Sequence, residues 1–128
     1  MTSQVIGSDG IDSPTTFSLG DVGEDVVFTT AGFAIKGSPL EAFDTAFEQK
    51  YGSAPESIYS AVGYDLIKVI EAAVIVAGST DPTKIRDAMA DLENVQGATG
   101  LLTYKGTNGM PVRQVWLIRA KEGGREWV

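Results

Sequence analysis

The residues best placed for chemistry sit in one short run, Gly7-Ser8-Asp9-Gly10. The apolar segment Gln4–Ile6 precedes it and reads as a strand ending in a glycine-flanked turn. A carboxylate just past a strand's C-terminal end lies where open α/β sheets bind ligands. There Asp9 could hold an ammonium group through charge-assisted hydrogen bonds, with the Ser8 hydroxyl beside it. The plain alternative is a turn aspartate that accepts a backbone N–H and tolerates left-handed geometry. Asp9, Asp12 and Gly10 match part of a calcium loop but lack its glutamate and full spacing, and Asp12 is expected to matter little for binding. No lysine follows Gly10 and no helix starts there, so the glycines make no phosphate loop.

Much other chemistry is excluded. Histidine and cysteine are absent. That removes Ser-His-Asp catalysis, zinc held by histidine or thiolate, disulfides and the usual general base. Seventeen acidic residues leave a carboxylate-based enzyme as a remote alternative, but no pair stands at a suggestive spacing. No catalytic residue, metal site or cofactor is assigned. A net charge of −7 without basic clusters disfavours nucleic acid and anionic membrane surfaces as partners. A hydrophobic content of 43% suits one soluble globular domain. No charged n-region followed by an apolar h-region opens the chain, so no signal peptide is expected in it, and Met1 has the look of an expression start or an internal cut.

The elements that must position these residues are organised around one helix, Ile58 to Ala77. Its strongly polar residues, Asp65, Lys68 and Glu71, recur every three positions and predict one narrow solvated stripe. The rest of the cylinder is apolar or small and must be covered on several sides. Pro55 and Glu56 are expected to open this helix, Gly78 to end it, and Tyr59 to stand at its start, packed in the core. Tyr64 is expected in the core.

Ser38-Pro39-Leu40-Glu41 predicts an earlier helix with a capping box, carrying Leu40, Phe43, Phe47 and Tyr51 to a stop at Gly52. Asp81-Pro82 starts a third, with Ile85, Met89 and Leu92 on one face. Asp25–Thr30, Leu101–Tyr104 and Val112–Ala120 read as strands, and Glu126–Val128 can pair back after a turn at Gly123. Trp116 and Trp127 are read as sheet packing. The order is β, β, α, α, α, β, β, β. This is an α/β pattern of three consecutive helices flanked by short strands. Such helices usually cover a parallel sheet. The sheet that should face Phe43, Phe47 and the apolar flanks of the long helix is not evident in the chain.

Six pieces in order carry a resemblance: GSDG, DVVFTT, SPLEAF, QKYGSAPESIYSAVGYD, AGSTDPTKIRDAM and QGATGLLTYKGTNG. Together they resemble the C-terminal part of a periplasmic branched-chain amino-acid-binding protein, the solute receptor of an ABC importer. The resemblance spans nearly the whole chain. It implies a fragment of a two-lobe type I periplasmic-binding fold, in which a small ligand is trapped between lobes joined by three crossovers. Residues 1–28 and 113–128 would be second-lobe strands, and 29–112 first-lobe helices and turns. Asp9 would meet the ligand's α-amino group, Tyr59 would line the cleft, and Ser8 and Thr29 would be lesser candidates. The implied ligands are amino acids, amides, urea or aromatic acids. The implied partner is a membrane permease, and the implied location is the periplasm or the cell exterior. A ligand-sensing regulatory receptor of the same fold is the alternative. The uncovered helical faces then predict a homodimer or association with the missing half of the receptor.

Overall fold

A computed structural model describes residues 3–128. Four strands form one sheet: β1 (Ile6–Gly7), β2 (Val27–Thr30), β5 (Trp116–Lys121) and β6 (Gly124–Trp127), in the order β1-β2-β5-β6. β1 runs parallel to β2, and the other neighbours are antiparallel. The β5–β6 hairpin turns at Gly123, whose φ of 73° suits a residue without a Cβ. β2 carries Phe28 and Thr30 inward and half-buried Val27 and Thr29 on the other face, the period-two alternation of a strand covered on one side. Phe28, Ile118 and Ala120 are buried at the centre, with Ile11, Phe17, Val26, Phe33 and Trp116 packed on them. Phe17 comes from a one-turn helix, α1 (Pro14–Phe17), and stacks on Phe28 at 6.1 Å. Trp116 and Trp127 meet edge to face at 5.5 Å, so the two indoles do pack on the sheet.

Between the two halves of that sheet the chain makes a helical layer of α2 (Pro39–Tyr51), α3 (Tyr59–Ala77) and α4 (Pro82–Ala90). The expected α/β class, with three consecutive long helices, is what the structure has. Ser38 caps α2 by accepting from the Glu41 N–H at 3.1 Å, while the Glu41 side chain reaches one residue further back, to the Gly37 N–H at 2.6 Å. Asp81 Oδ1 caps α4, accepting from Thr83 N–H and Lys84 N–H. Gly52 and Gly78 end α2 and α3 in left-handed geometry.

Three local expectations change. α3 begins at Tyr59 with Ile58 at its cap, because Pro55, Glu56 and Ser57 form a loop rather than a first turn. A three-residue strand, β3 (Val95–Gly97), pairs with β4 (Gly100–Leu102) across a tight turn at Ala98-Thr99. Glycines at both ends of that turn hide the period of so short a strand. Strand β5 starts at Trp116, and Val112 makes only an isolated bridge to Thr103.

The largest correction concerns α3. Lys68 and Glu71 do pair on its surface at 2.5 Å, but Asp65 is only 2% exposed. Its oxygens accept from the Ala98 N–H at 2.5 Å, the Thr99 N–H at 3.2 Å and the Thr99 hydroxyl. The hairpin turn leaves those donors facing the helix, and a carboxylate satisfies them. Gly97 permits the approach: a Cβ there would sit 2.4 Å from Asp65 Oδ1.

The buried stripe of α3 is Ala61, Asp65, Val69 and Ala73, a strict four-residue spacing. Val62, Ala72, Val74 and Ala77 flank that stripe half-buried, and the rest of the apolar surface is open. Ile67 is 61% exposed, Ile75 72%, and Leu66 and Val76 are exposed with them. Tyr64, expected in the core, is 46% exposed and lies against Phe43 at 5.4 Å. Among the described residues no helix is long and apolar enough to cross a membrane.

Candidate functional site

Asp9 opens a three-residue 3-10 turn, Asp9–Ile11, directly beyond β1. Ser8 occupies the cap position, and its hydroxyl makes no capping hydrogen bond. The turn is held by backbone: Ile11 N–H donates to Ser8 C=O at 3.2 Å and Asp12 N–H to Asp9 C=O at 3.1 Å. Ser8 and Asp9 are both exposed. Tyr59, at the first position of α3, is 49% exposed. Its phenol is held above the ordinary tyrosine range, first by partial desolvation and then by the Asp9 carboxylate, which opposes loss of the proton. The fold therefore brings Asp9 to Tyr59 across fifty positions of sequence. Thr29 lies apart, half-buried on β2 opposite Leu117.

A groove runs between the loop that follows Asp9 and the loop that leads into α3. One part, about 550 Å³, is bordered by Gly10, Ser13, Thr15, Glu56, Ser57 and Tyr59. It continues into a second part of about 270 Å³ beside Phe17, Asp44, Glu48 and Arg125. The polar groups on the walls are acidic and hydroxylic, with Arg125 the one cation among them, and they are interleaved with apolar surface from Phe17, Leu40 and Ile58. Burial holds the Asp44 carboxyl above its ordinary range, against the pull of Arg125. Such walls suit a small polar ligand that carries positive charge. Among the described residues no group of side chains could hold a metal ion.

Asp12, expected to be a loop residue of little consequence, is 2% exposed. Its Oδ2 accepts from the Thr30 hydroxyl at 2.5 Å, and its Oδ1 pairs with Arg125 Nη1. Arg125 in turn lies over the Phe33 ring at 5.8 Å. A second buried network starts from Asp65 and passes through Thr99 to Arg113 Nη2, which also donates to Ala31 C=O at 3.3 Å. Ala31 and Arg113 lie on the two segments that join the helical layer to the sheet, so this network spans both. Neither was visible in the sequence, because the partners stand 34 and 113 positions apart. The one usable signal was Pro14 after Asp12-Ser13, which marks a chain reversal that could turn a side chain inward.

A family model described as periplasmic binding protein matches residues 2–125. The chain belongs to that family. The Leu/Ile/Val-binding protein homolog 3 of Brucella melitensis is 27% identical over 112 residues, covering 86% of this chain and 30% of its own. The crystal structure of a leucine-binding protein from Thermotoga maritima superposes with a TM-score of 0.83 at 28% identity, over all of this chain and 37% of that one. An ABC transporter substrate-binding protein from Desulfitobacterium hafniense, solved in complex with Leu, gives 0.80 over all of this chain and 36% of its own; at 22% identity it speaks for the fold alone. The chain thus spans about a third of the length of these periplasmic binding proteins, as a portion of the type I fold.

Proposed function

We propose that this chain is part of an extracytoplasmic receptor that delivers amino acids or similar small polar ligands to the permease of an ABC importer. The observation that carries this reading is the outward Asp9 carboxylate, set at the C-terminal end of β1 and facing Tyr59 at the mouth of the groove. A carboxylate so placed is an acceptor for the ammonium of an amino acid. Tyr59 supplies an aromatic wall with a polar tip, and the Ser8 hydroxyl is a further donor or acceptor. On this reading residues 1–28 and 113–128 belong to one lobe and 29–112 to the other. Asp9 and Tyr59 then approach the ligand from opposite sides, and closure about the 31 and 113 segments traps it. The exposed apolar face of α3 is covered by the remaining length of the receptor, which the relatives have and this chain does not span.

The test is calorimetry with leucine, isoleucine and valine on the full-length receptor that contains this chain. Asp9→Ala is expected to weaken binding by about 2–5 kcal/mol, as when one partner of a desolvated charge pair is removed. The 128-residue chain alone is expected to show no micromolar affinity, since a closed cleft draws its contacts from both lobes. Unchanged affinity in Asp9→Ala sinks the assignment.

A further inference from the structure

An exposed carboxylate on a three-residue turn has little packing of its own to fix its direction, yet a binding group must be held to within about half an ångström. The structure shows what holds the turn. Asp12 closes it through its N–H to Asp9 C=O and then points its side chain inward. Both Asp12 oxygens are engaged, one by Thr30 at the end of β2 and the other by Arg125 on β6. The turn is thereby tied to two separate strands of the sheet. Ile11 seats it from below: a Cβ on Gly7 would stand 2.5 Å from Ile11 Cδ1.

We infer that Asp12 is a positioning residue for ligand binding: with Arg125 and Thr30 it sets where the Asp9 carboxylate meets the ligand's ammonium group. The inference rests on the receptor reading above. Asp12 does not itself contact the ligand, because it is 2% exposed and its oxygens are taken. The charge of Asp12 is needed as well as its shape. An asparagine could still accept from Thr30, but it would remove the carboxylate that pairs with Arg125, whose guanidinium is itself mostly covered, and leave only the weaker attraction of Asp44.

The experiment compares leucine with 2-hydroxy-4-methylpentanoate, which replaces the α-ammonium by a hydroxyl, on the full-length receptor. Calorimetry gives the ratio of the two affinities. Asp9→Ala is expected to abolish the preference for leucine. Asp12→Asn and Arg125→Met are expected to reduce it about 10- to 100-fold, the range typical when the outer partner of a binding group is lost. Thr30→Val, which removes one hydrogen bond and no charge, should reduce it less and serves if the charge variants fail to fold. A merely structural clamp would weaken both ligands alike and leave the ratio unchanged, which overturns the inference while the Asp9 result stands. A ratio unmoved by Asp9→Ala, or a receptor that binds neither probe, removes the receptor reading and the inference with it.

Discussion

The sheet and the helical layer each hold one carboxylate that is 2% exposed, and the two are satisfied by different means. Asp12 faces a charge, Arg125, from the far end of the chain. Asp65 faces two backbone N–H groups and a hydroxyl, with Arg113 one bond further out. The first arrangement locks strand ends that are distant in sequence; the second locks a hairpin turn onto a helix. The regions also differ in cover. Phe28 and Ile118 in the sheet are fully buried, whereas α3 buries one stripe and leaves large aliphatic side chains outside. The helix is thus partly inverted relative to an ordinary surface helix: a carboxylate stands among Ala61, Val69 and Ala73 on its buried side, and its open side carries isoleucines. The contrast teaches that both buried carboxylates are satisfied where this chain's own elements meet, although Arg113 Nε and Arg119 Nε stay without hydrogen-bond partners, while the apolar cover of α3 is incomplete.

The largest effect that tests this contrast is expected at Asp65. Asp65→Ala leaves the Ala98 and Thr99 donors facing an apolar gap and removes the negative charge that stands behind the Thr99–Arg113 bond. A loss of about 3–5 kcal/mol is expected, as for a buried polar network deprived of its charged member. With domain stabilities of only about 5–15 kcal/mol, that moves the urea midpoint substantially or unfolds the chain. A loss under about 1 kcal/mol would mean that water replaces the carboxylate and that the two regions are not held in comparable ways.

Gly97→Ala probes the same junction more gently. The added Cβ would meet Asp65 Oδ1 at 2.4 Å, so the hairpin or the helix must shift. The expected cost is about 1–3 kcal/mol. Gly63→Ala is the control on the open side of α3, where nothing lies within 4 Å and alanine is the better helix former. There the chain should gain a fraction of a kcal/mol. Equal signs at the two glycines, read from thermal midpoints, would erase the difference between the faces.

These contrasts also show what was legible in the sequence. Ser38-Pro39 and Asp81-Pro82 placed two helix starts because capping is local chemistry, settled within four residues. The order of three long helices followed from periodicity, and the family resemblance followed from six short segments in register. What failed was long-range. Asp65 has the spacing of a solvated stripe, and only the hairpin thirty-odd residues later, with its bare Gly97, turns it into a buried acceptor. Asp12 reads as loop and is loop, but its burial could not be seen because its partners, Thr30 and Arg125, come from strands whose neighbours were not known. Asp9 and Tyr59 could be named from the resemblance, but the influence of the Asp9 carboxylate on the Tyr59 phenol comes only with the folded chain.

The smallest effect on stability is expected on the open face itself, and it sharpens the comparison most. Ile67 is 61% exposed and Ile75 72%, so serine at either position removes almost no burial from the folded chain. Urea midpoints of Ile67→Ser and Ile75→Ser should lie within about 0.5 kcal/mol of the parent. The same changes should be felt wherever the face is covered. The isolated chain has only copies of itself to do so, and a contiguous apolar face of a few hundred Å² is enough to drive weak association. Light scattering at micromolar concentration is therefore expected to show dimers or larger species for the parent and a shift toward monomer for the Ile67→Ser, Ile75→Ser double variant. Phe47→Glu, on the neighbouring half-buried aromatic row, should act in the same direction. In the full-length receptor the double variant should instead lower stability by some 2–5 kcal/mol, as buried aliphatic side chains do when truncated. A parent chain that stays monomeric, together with a receptor indifferent to both serines, would show that the open side of α3 is a true solvent face and that the inversion needs no partner.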